Sequence, residues 1–233
     1  MIKYLNSENT NPYENLAIEQ HLFSKAKENP ILFLWQNEHT IVIGRNQIPK
    51  CECKAYEFFS NGGRIARRRS GGGAVYHDYG NLNYSIICPE NMVEIYSYQS
   101  IVRNALQSFG LKIGFNGRND LMVNDRKISG NAVYSENGII CQHGTILVNT
   151  DLDIMQHYLT PDKEKMTRNH VESIKSRVVN LSELCESISV KDVKNALVGS
   201  TEAVPLLDDM DLGEIEKLTA FYASDTWIYG GKR

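Results

Sequence analysis

Residues 121–148 read LMVNDRKISGNAVYSENGIICQHGTILV, and the punctuation inside this stretch decides the fold. Leu121-Met122-Val123 and Arg126-Lys127-Ile128 flank Asn124-Asp125, while Asn131-Ala132-Val133-Tyr134 and Ile139 to Val148 flank a turn containing Asn137-Gly138. Asn, Asp and Gly tolerate the positive φ that a tight hairpin demands, so apolar runs on either side of such pairs predict antiparallel strands. The middle of the chain is therefore expected to be antiparallel sheet.

Working outward, Val75-Tyr76-His77 and Leu82 to Ile87 predict two more strands, separated by the turn residues Asp78 to Asn81. Ile31 to Gln36 and Thr40 to Ile43 are short apolar runs around Asn37-Glu38-His39, which predicts another hairpin. Asn11-Pro12-Tyr13-Glu14 has the cap, the proline and the acidic residue of a helix start, and that helix is expected to run to about Lys25. Ile101, Val102, Ala105 and Phe109 follow helical spacing from Tyr98 to a stop at Gly110. Further helices are expected near Leu152–Leu159, Val190–Leu197 and Leu212–Tyr222. The class implied is α+β, a largely antiparallel sheet with helices packed on it.

The 233 residues are 42% hydrophobic, enough for a substantial core. A formal charge of -3 gives no global field for nucleic acid, and no apolar run is long enough to span a bilayer. Neither partner is expected. Five cysteines in irregular spacing fit a reducing compartment rather than a disulfide framework, so the chain reads as cytoplasmic.

Arg67-Arg68-Arg69-Ser70-Gly71-Gly72-Gly73 joins positive charge to open backbone. Guanidinium groups can grip carboxylate or phosphate, and glycines let backbone N–H groups approach a ligand, although a triple glycine alone is as often a flexible loop. The segment is neither a Walker loop nor a dinucleotide fingerprint. A second cluster is Gly117-Arg118-Asn119-Asp120 with Asp125 to Gly130, where Lys127 could neutralise charge on a carboxylate attacking a phosphate and Asp120 could hold Mg²⁺. By itself it equally describes an exposed turn. His143, in Gln142-His143-Gly144-Thr145, reads as a core histidine or a ligand contact. Cys141 is a weak nucleophile candidate, because it is expected to point to the face opposite His143. Lys163, Lys165, Ser173, Arg177 and Asn180 read as a solvated, charged connection.

In combination and in order, these motifs resemble the lipoate–protein ligase family along nearly the whole chain. The matching blocks are Arg68 to Asn81, Gly117 to Asp120, Lys127 to Gly130, His143 to Thr145, and Asp151-Leu152. The resemblance implies the fold of biotin and lipoate ligases, related to class II aminoacyl-tRNA synthetases. It implies an ATP-dependent reaction in which lipoate becomes lipoyl-AMP and is then passed to a lysine of a lipoyl-domain protein. Acceptors would be a 2-oxoacid dehydrogenase acyltransferase subunit or a glycine-cleavage H protein. On this resemblance Lys127 is the catalytic residue. Trp35, Arg68, Ser70, Gly71, Gly72, Gly73, Val75 and His143 would bind the lipoyl group. Tyr76, His77, Asn81, Asn119, Asp120 and Lys127 would surround the nucleotide, with Asp120 on magnesium.

Longer members continue past the Trp-x-Tyr-Gly segment into an accessory domain, whereas residues 1–233 read as a single catalytic domain that stops just after Trp227 to Gly230. Adenylation is therefore expected either to use a separate small chain or to be replaced by transfer of a preformed adenylate. A lipoyl or octanoyl transferase working through a cysteine thioester is the first rival. Its cysteine would lie near Gly114-Phe115-Asn116 or Leu159-Thr160-Pro161, and neither segment holds one. A non-catalytic lipoate-binding subunit is the second rival, and a biotin ligase is the third.

Overall fold

A computed structural model describes residues 1–116, 120–160, 178–207 and 210–230. Eight strands form the main sheet: β1 (Lys3–Asn6), β2 (Ile31–Trp35), β6 (Asn81–Pro89), β7 (Gly114–Asn116), β8 (Asp120–Val123), β9 (Arg126–Glu136), β10 (Ile139–Leu147) and β11 (Val204–Pro205). Their order is β11-β1-β2-β6-β10-β9-β8-β7, and only the two pairings of β1 with its neighbours are parallel. The two turns that announced the sheet adopt the backbone expected of them. Asn124 and Asp125 have φ of 49° and 62°, and Asn137 and Gly138 have 51° and 77°, closing β8–β9 and β9–β10.

A second sheet of three strands, order β4-β3-β5, is built from β3 (Thr40–Ile43), β4 (Arg64–Arg67) and β5 (Val75–His77). This corrects the expected hairpin: β2 lies between β1 and β6 of the main sheet, whereas β3 pairs with β4 and β5. The reason is burial. Both runs are buried at every position, so each needs a neighbour on both edges and cover on both faces, which a two-stranded ribbon cannot supply. The link between them dives inward, since Asn37 is buried and bonded to Asn15 and His77.

Alternation along β2 and β6 divides the core. Leu32, Leu34, Leu82, Tyr84 and Ile86 face helices α4 (Tyr98–Gln107) and α6 (Val190–Ser200) through Val102, Leu106, Val193 and Leu197. Ile31, Phe33, Trp35 and Ile87 face α1 (Pro12–Lys25) and α7 (Leu212–Ala223) through Leu16, Leu22, Ile215 and Tyr222. A third cluster joins Ile41, Ile43 and Tyr76 of the small sheet to short helices α2 (Pro49–Glu52), α3 (Ala55–Ser60), α5 (Leu152–Tyr158) and α8 (Asp225–Tyr229). On the α1 face, β6 carries Asn81, Asn83 and Ser85 in a row, all buried. Three polar groups on a core face need partners: Asn81 donates to Asn83, and Ser85 donates to Glu19.

Candidate active site

Two cavities meet on the face where α1, the small sheet and β6, β9 and β10 converge. The first, about 250 Å³, is walled by apolar Leu16, Trp35, Val42 and Val75 with glycines Gly72 and Gly73 at its rim. The second, about 480 Å³, is more polar, with Gln47, Glu52, Tyr76, Asn116 and Asp125 in its lining. Gly73, Ala74, Val75, Asp120, Lys127, Gly130 and Thr145 line both, so they form the waist between an apolar channel and a polar basin.

Lys127 stands at that waist, its Nζ 2.9 Å from Asp120 Oδ1. Both side chains are about one-third exposed. The hairpin predicted from Asn124-Asp125 sets this pair, because Lys127 lies opposite Met122 and Asp120, two residues from Met122 on β8, points to the same face. Gly130 keeps the ammonium in place: a Cβ there would stand 2.8 Å from Lys127 Nζ.

The arginine triplet, expected to meet an anion, is spent inside the protein. Arg67 donates to the carbonyls of Gly44, Arg45, Trp227 and Ile228 at 2.6–3.1 Å and so ties α8 to the small sheet. Arg68 donates to Val42, Gly71 and Gly73 carbonyls and to Ser70 Oγ, and burial pushes its guanidinium down to about 10. Arg68 thereby moulds the glycine loop. Gly72 has φ of +91°, and a side chain there would strike Arg68 Nη2. Arg69 pairs with Glu136 on the neighbouring sheet at 2.8 Å. Within the loop only Gly72 and Gly73 line the channel, while buried Ser70 bonds to His143 and Gly71 lies exposed outside it.

Where His143 lines it, the channel rests on a buried network. His143 Nδ1 lies 2.9 Å from Glu19 Oε2, and its Nε2 lies 2.6 Å from Ser70 Oγ. Ser85 donates to Glu19 Oε2 at 2.5 Å, Tyr134 to Glu19 Oε1 at 3.2 Å, and Trp35 Nε1 to Ser85 Oγ at 3.2 Å. Burial pushes the Glu19 carboxyl up, but the charge of His143 and the hydrogen bonds from His143, Ser85 and Tyr134 outweigh it, and the net displacement is downward. Cys141 belongs to the same cluster, correcting the expected opposition: residues two apart on a strand share a face, and the ligand atoms of Glu19, Cys141 and His143 lie within 4.8 Å of one another. Burial and then Glu19 drive the Cys141 thiol well above its ordinary value, which disarms it as a nucleophile.

The other anticipated residues distribute as follows. Trp35, Arg68, Val75, His77, His143, Asp120 and Lys127 line the channel, and Tyr76 lines the basin. Asn81 is fully buried and donates to Asn83, outside the lining of either cavity. Asn119 lies outside the described residues, as do Lys163, Lys165, Ser173 and Arg177.

Residues 11–202 match the family model for the lipoyl protein ligase A/B catalytic domain. The chain belongs to the lipoyl protein ligase A/B family. A lipoate-protein ligase A of Psychrobacter cryohalolentis is 35% identical over 98% of this chain and 72% of its own length. Among solved structures, Plasmodium falciparum LipL1 in complex with lipoate is 31% identical, with a TM-score of 0.85 over 100% of this chain and 75% of that one. A bipartite lipoate protein ligase with its E2 lipoyl domain from Thermoplasma acidophilum is 26% identical, TM-score 0.81, covering 100% and 96%. A lipoate-protein ligase A bound with ATP is 26% identical, TM-score 0.79, covering 99% and 98%. Membership confirms the α+β class, and no helix among the described residues is long and apolar enough to cross a membrane.

Within this lipoyl ligase domain, sequence reasoning missed Glu19, Leu16, Val42, Asn83 and Thr145. Only Glu19 left a signal: it sits on the buried stripe of α1 with Asn15, Leu16 and Leu22, where a carboxylate needs a partner.

Proposed function

We propose that this protein is a lipoate–protein ligase that activates lipoate with ATP and transfers the lipoyl group to a lysine of a lipoyl-domain protein. One observation carries the reading: Lys127 and Asp120 stand on the wall common to an apolar channel and a polar basin. An acid with a long apolar tail fits the first, a nucleotide the second, and their reacting ends meet at an ammonium. The names of the relatives and the lipoate- and ATP-bound neighbours support the same substrates.

Lys127 neutralises the carboxylate as it attacks the α-phosphate, and pyrophosphate leaves. It then stabilises the negative charge that develops when the acceptor amine attacks the acyl carbonyl and displaces AMP. Trp35, Val75, Gly72 and Gly73 enclose the acyl tail, with Arg68, Ser70, Gly71 and His143 behind them. Tyr76 and Asn119 serve the adenylate side, while His77 lines the channel and Asn81, outside both cavities, supports Asn83 from behind. Asp120 would hold Mg²⁺. The ion would supply phosphate charge neutralisation and needs one or two carboxylates besides the phosphates, which suits a basin lined by Asp120 together with Asp125 and Glu52.

The chain acts as one catalytic unit in the cytoplasm, and its protein partners are apo lipoyl domains of 2-oxoacid dehydrogenases or H protein. A separate accessory chain is a further partner, by analogy with the bipartite Thermoplasma ligase. The test is pyrophosphate release from Mg-ATP and lipoate, followed by transfer from synthetic lipoyl-AMP to an apo lipoyl domain. The wild type performs the transfer, and Lys127→Ala slows it by at least about a hundredfold. An equal rate in Lys127→Ala overturns the assignment. Transfer without pyrophosphate release identifies the accessory chain as the missing component.

A further inference from the structure

Two buried side chains that line the channel carry hydrogen-bond donors with no acceptor among the described residues. His77 and Asn83 are each 2% exposed and line the first cavity, and His77 Nε2 and Asn83 Nδ2 are without partners. Orphan donors of this kind are rare in folded proteins and are retained where a ligand completes them.

The network behind His77 fixes which of its nitrogens carries hydrogen. The carbonyls of Asn9 and Gln36 take the amide hydrogens of Asn15, so Asn15 Nδ2 faces Asn37 Oδ1 at 3.1 Å. Asn37 must then present its own Nδ2 to His77 Nδ1, also at 3.1 Å. The neutral ring bears its hydrogen on Nε2, the atom left without a partner. Asn83 is oriented in the same manner, since its Oδ1 accepts from Asn81 Nδ2 at 3.1 Å and leaves Nδ2 as the open group.

The sheet register places Asn83 beside the waist, and His77 lines the same channel. Asn83 lies opposite Trp35 on one side and opposite Thr145 on the other, and Thr145 lines both cavities. Thr145 Oγ1 accepts the N–H of Gly130, the residue packed against Lys127 Nζ. Deeper in, His143 is already committed to Ser70 and Glu19. An acyl group entering this channel passes both residues that carry the open donors.

We infer that His77 and Asn83 form a donor pair that holds the acyl carbonyl oxygen opposite Lys127, a role that rests on the lipoate ligase reading. During transfer the acceptor amine forms the C–N bond and the carbonyl electron pair moves onto that oxygen. Its return breaks the C–O bond to phosphate, AMP leaves with the electrons and the amine proton passes to solvent. Donors held in place by a tautomer-locking network stabilise the charged oxygen without reorganising.

The probe is a non-hydrolysable lipoyl sulfamoyl adenosine labelled with ¹³C at the acyl carbonyl. With wild type, the ¹⁵N-labelled His77 Nε2–H signal moves to a hydrogen-bonded position on adding the probe and stays put with AMP. In Asn83→Leu the carbonyl stretch of the bound probe rises, its affinity falls about tenfold and AMP affinity is unchanged. Transfer from lipoyl-AMP falls about a hundredfold. If the probe binds wild type with the His77 signal unmoved, the inference is overturned whether or not Asn83→Leu folds, while the ligase reading stands. If the probe fails to bind wild type, both fall.

Discussion

Replacing Glu19 by Ala tests whether the channel wall at His143 is held by a buried carboxylate. The carboxylate receives His143 at 2.9 Å, Ser85 at 2.5 Å and Tyr134 at 3.2 Å, and its side chain is 2% exposed. Alanine leaves buried His143 and Ser85, and the half-buried Tyr134, without this acceptor. Each loss alone is worth ~1–3 kcal/mol, and removing one member of a buried pair is worth ~3–5 kcal/mol. Because the three share one carboxylate the values do not add, and about 4 kcal/mol is expected. For a chain of this size each kcal/mol moves Tm by ~2–4 °C, so the variant should melt about 8–16 °C lower. Glu19→Gln keeps an acceptor oxygen without the charge and should lose about half as much. Urea unfolding at pH 7.5 measures both. A Glu19→Ala variant within about 1 kcal/mol of wild type would show that the pair contributes nothing net, as some buried pairs do.

Two further outcomes follow from the same geometry. Burial, Arg68 and His143 push the His77 imidazole down to about 3 from 6.5, so between those values the unfolded chain binds a proton that the folded chain refuses. Stability therefore falls as pH drops, by ~1.4 kcal/mol per unit, or about 2 kcal/mol at pH 5. His77→Gln should lose correspondingly less than wild type between pH 7.5 and 5 in matched urea titrations, and equal losses would refute the linkage. Gly130→Ala puts a Cβ 2.8 Å from Lys127 Nζ, the far end of a flexible side chain, so unfolding free energy should change by less than about 0.5 kcal/mol. Displacing the ammonium by about 1 Å should slow lipoyl transfer up to about a hundredfold, and an unchanged rate would place the reacting atoms elsewhere.

The strands and helices were legible where local chemistry decides them. Asn137-Gly138 declared its turn, and Asn11-Pro12 and Gly110 bounded helices that the structure reproduces as Pro12–Lys25 and Tyr98–Gln107. Pairing across distance was not legible. Nothing in Ile31 to Ile43 says that its two halves join different sheets, because a fully buried strand carries no alternation to reveal its faces. The site divides along the same line. Lys127 and Asp120 are close in sequence and on one hairpin, so their pairing could be anticipated. Glu19 and His143 are brought together from opposite ends of the fold, and Asn83 looks like an ordinary strand residue until β2 and β10 are set beside it.

The arginines show why charge in a motif does not identify a ligand contact. Arg67 and Arg68 are almost fully buried, and every hydrogen bond found for them goes to the protein itself, nearly all to main-chain carbonyls. Guanidinium is the cation best suited to this, since its planar fork can satisfy several carbonyls that a tight loop leaves without N–H partners. The motif thus separates two tasks. Its arginines hold the backbone of the glycine loop in a shape that glycine alone would not keep, and Gly72 and Gly73 of that loop line the channel that Lys127 also lines. The less buried lysine is bound to one aspartate, and on the proposed reading its ammonium exchanges that partner for a carboxylate or phosphate.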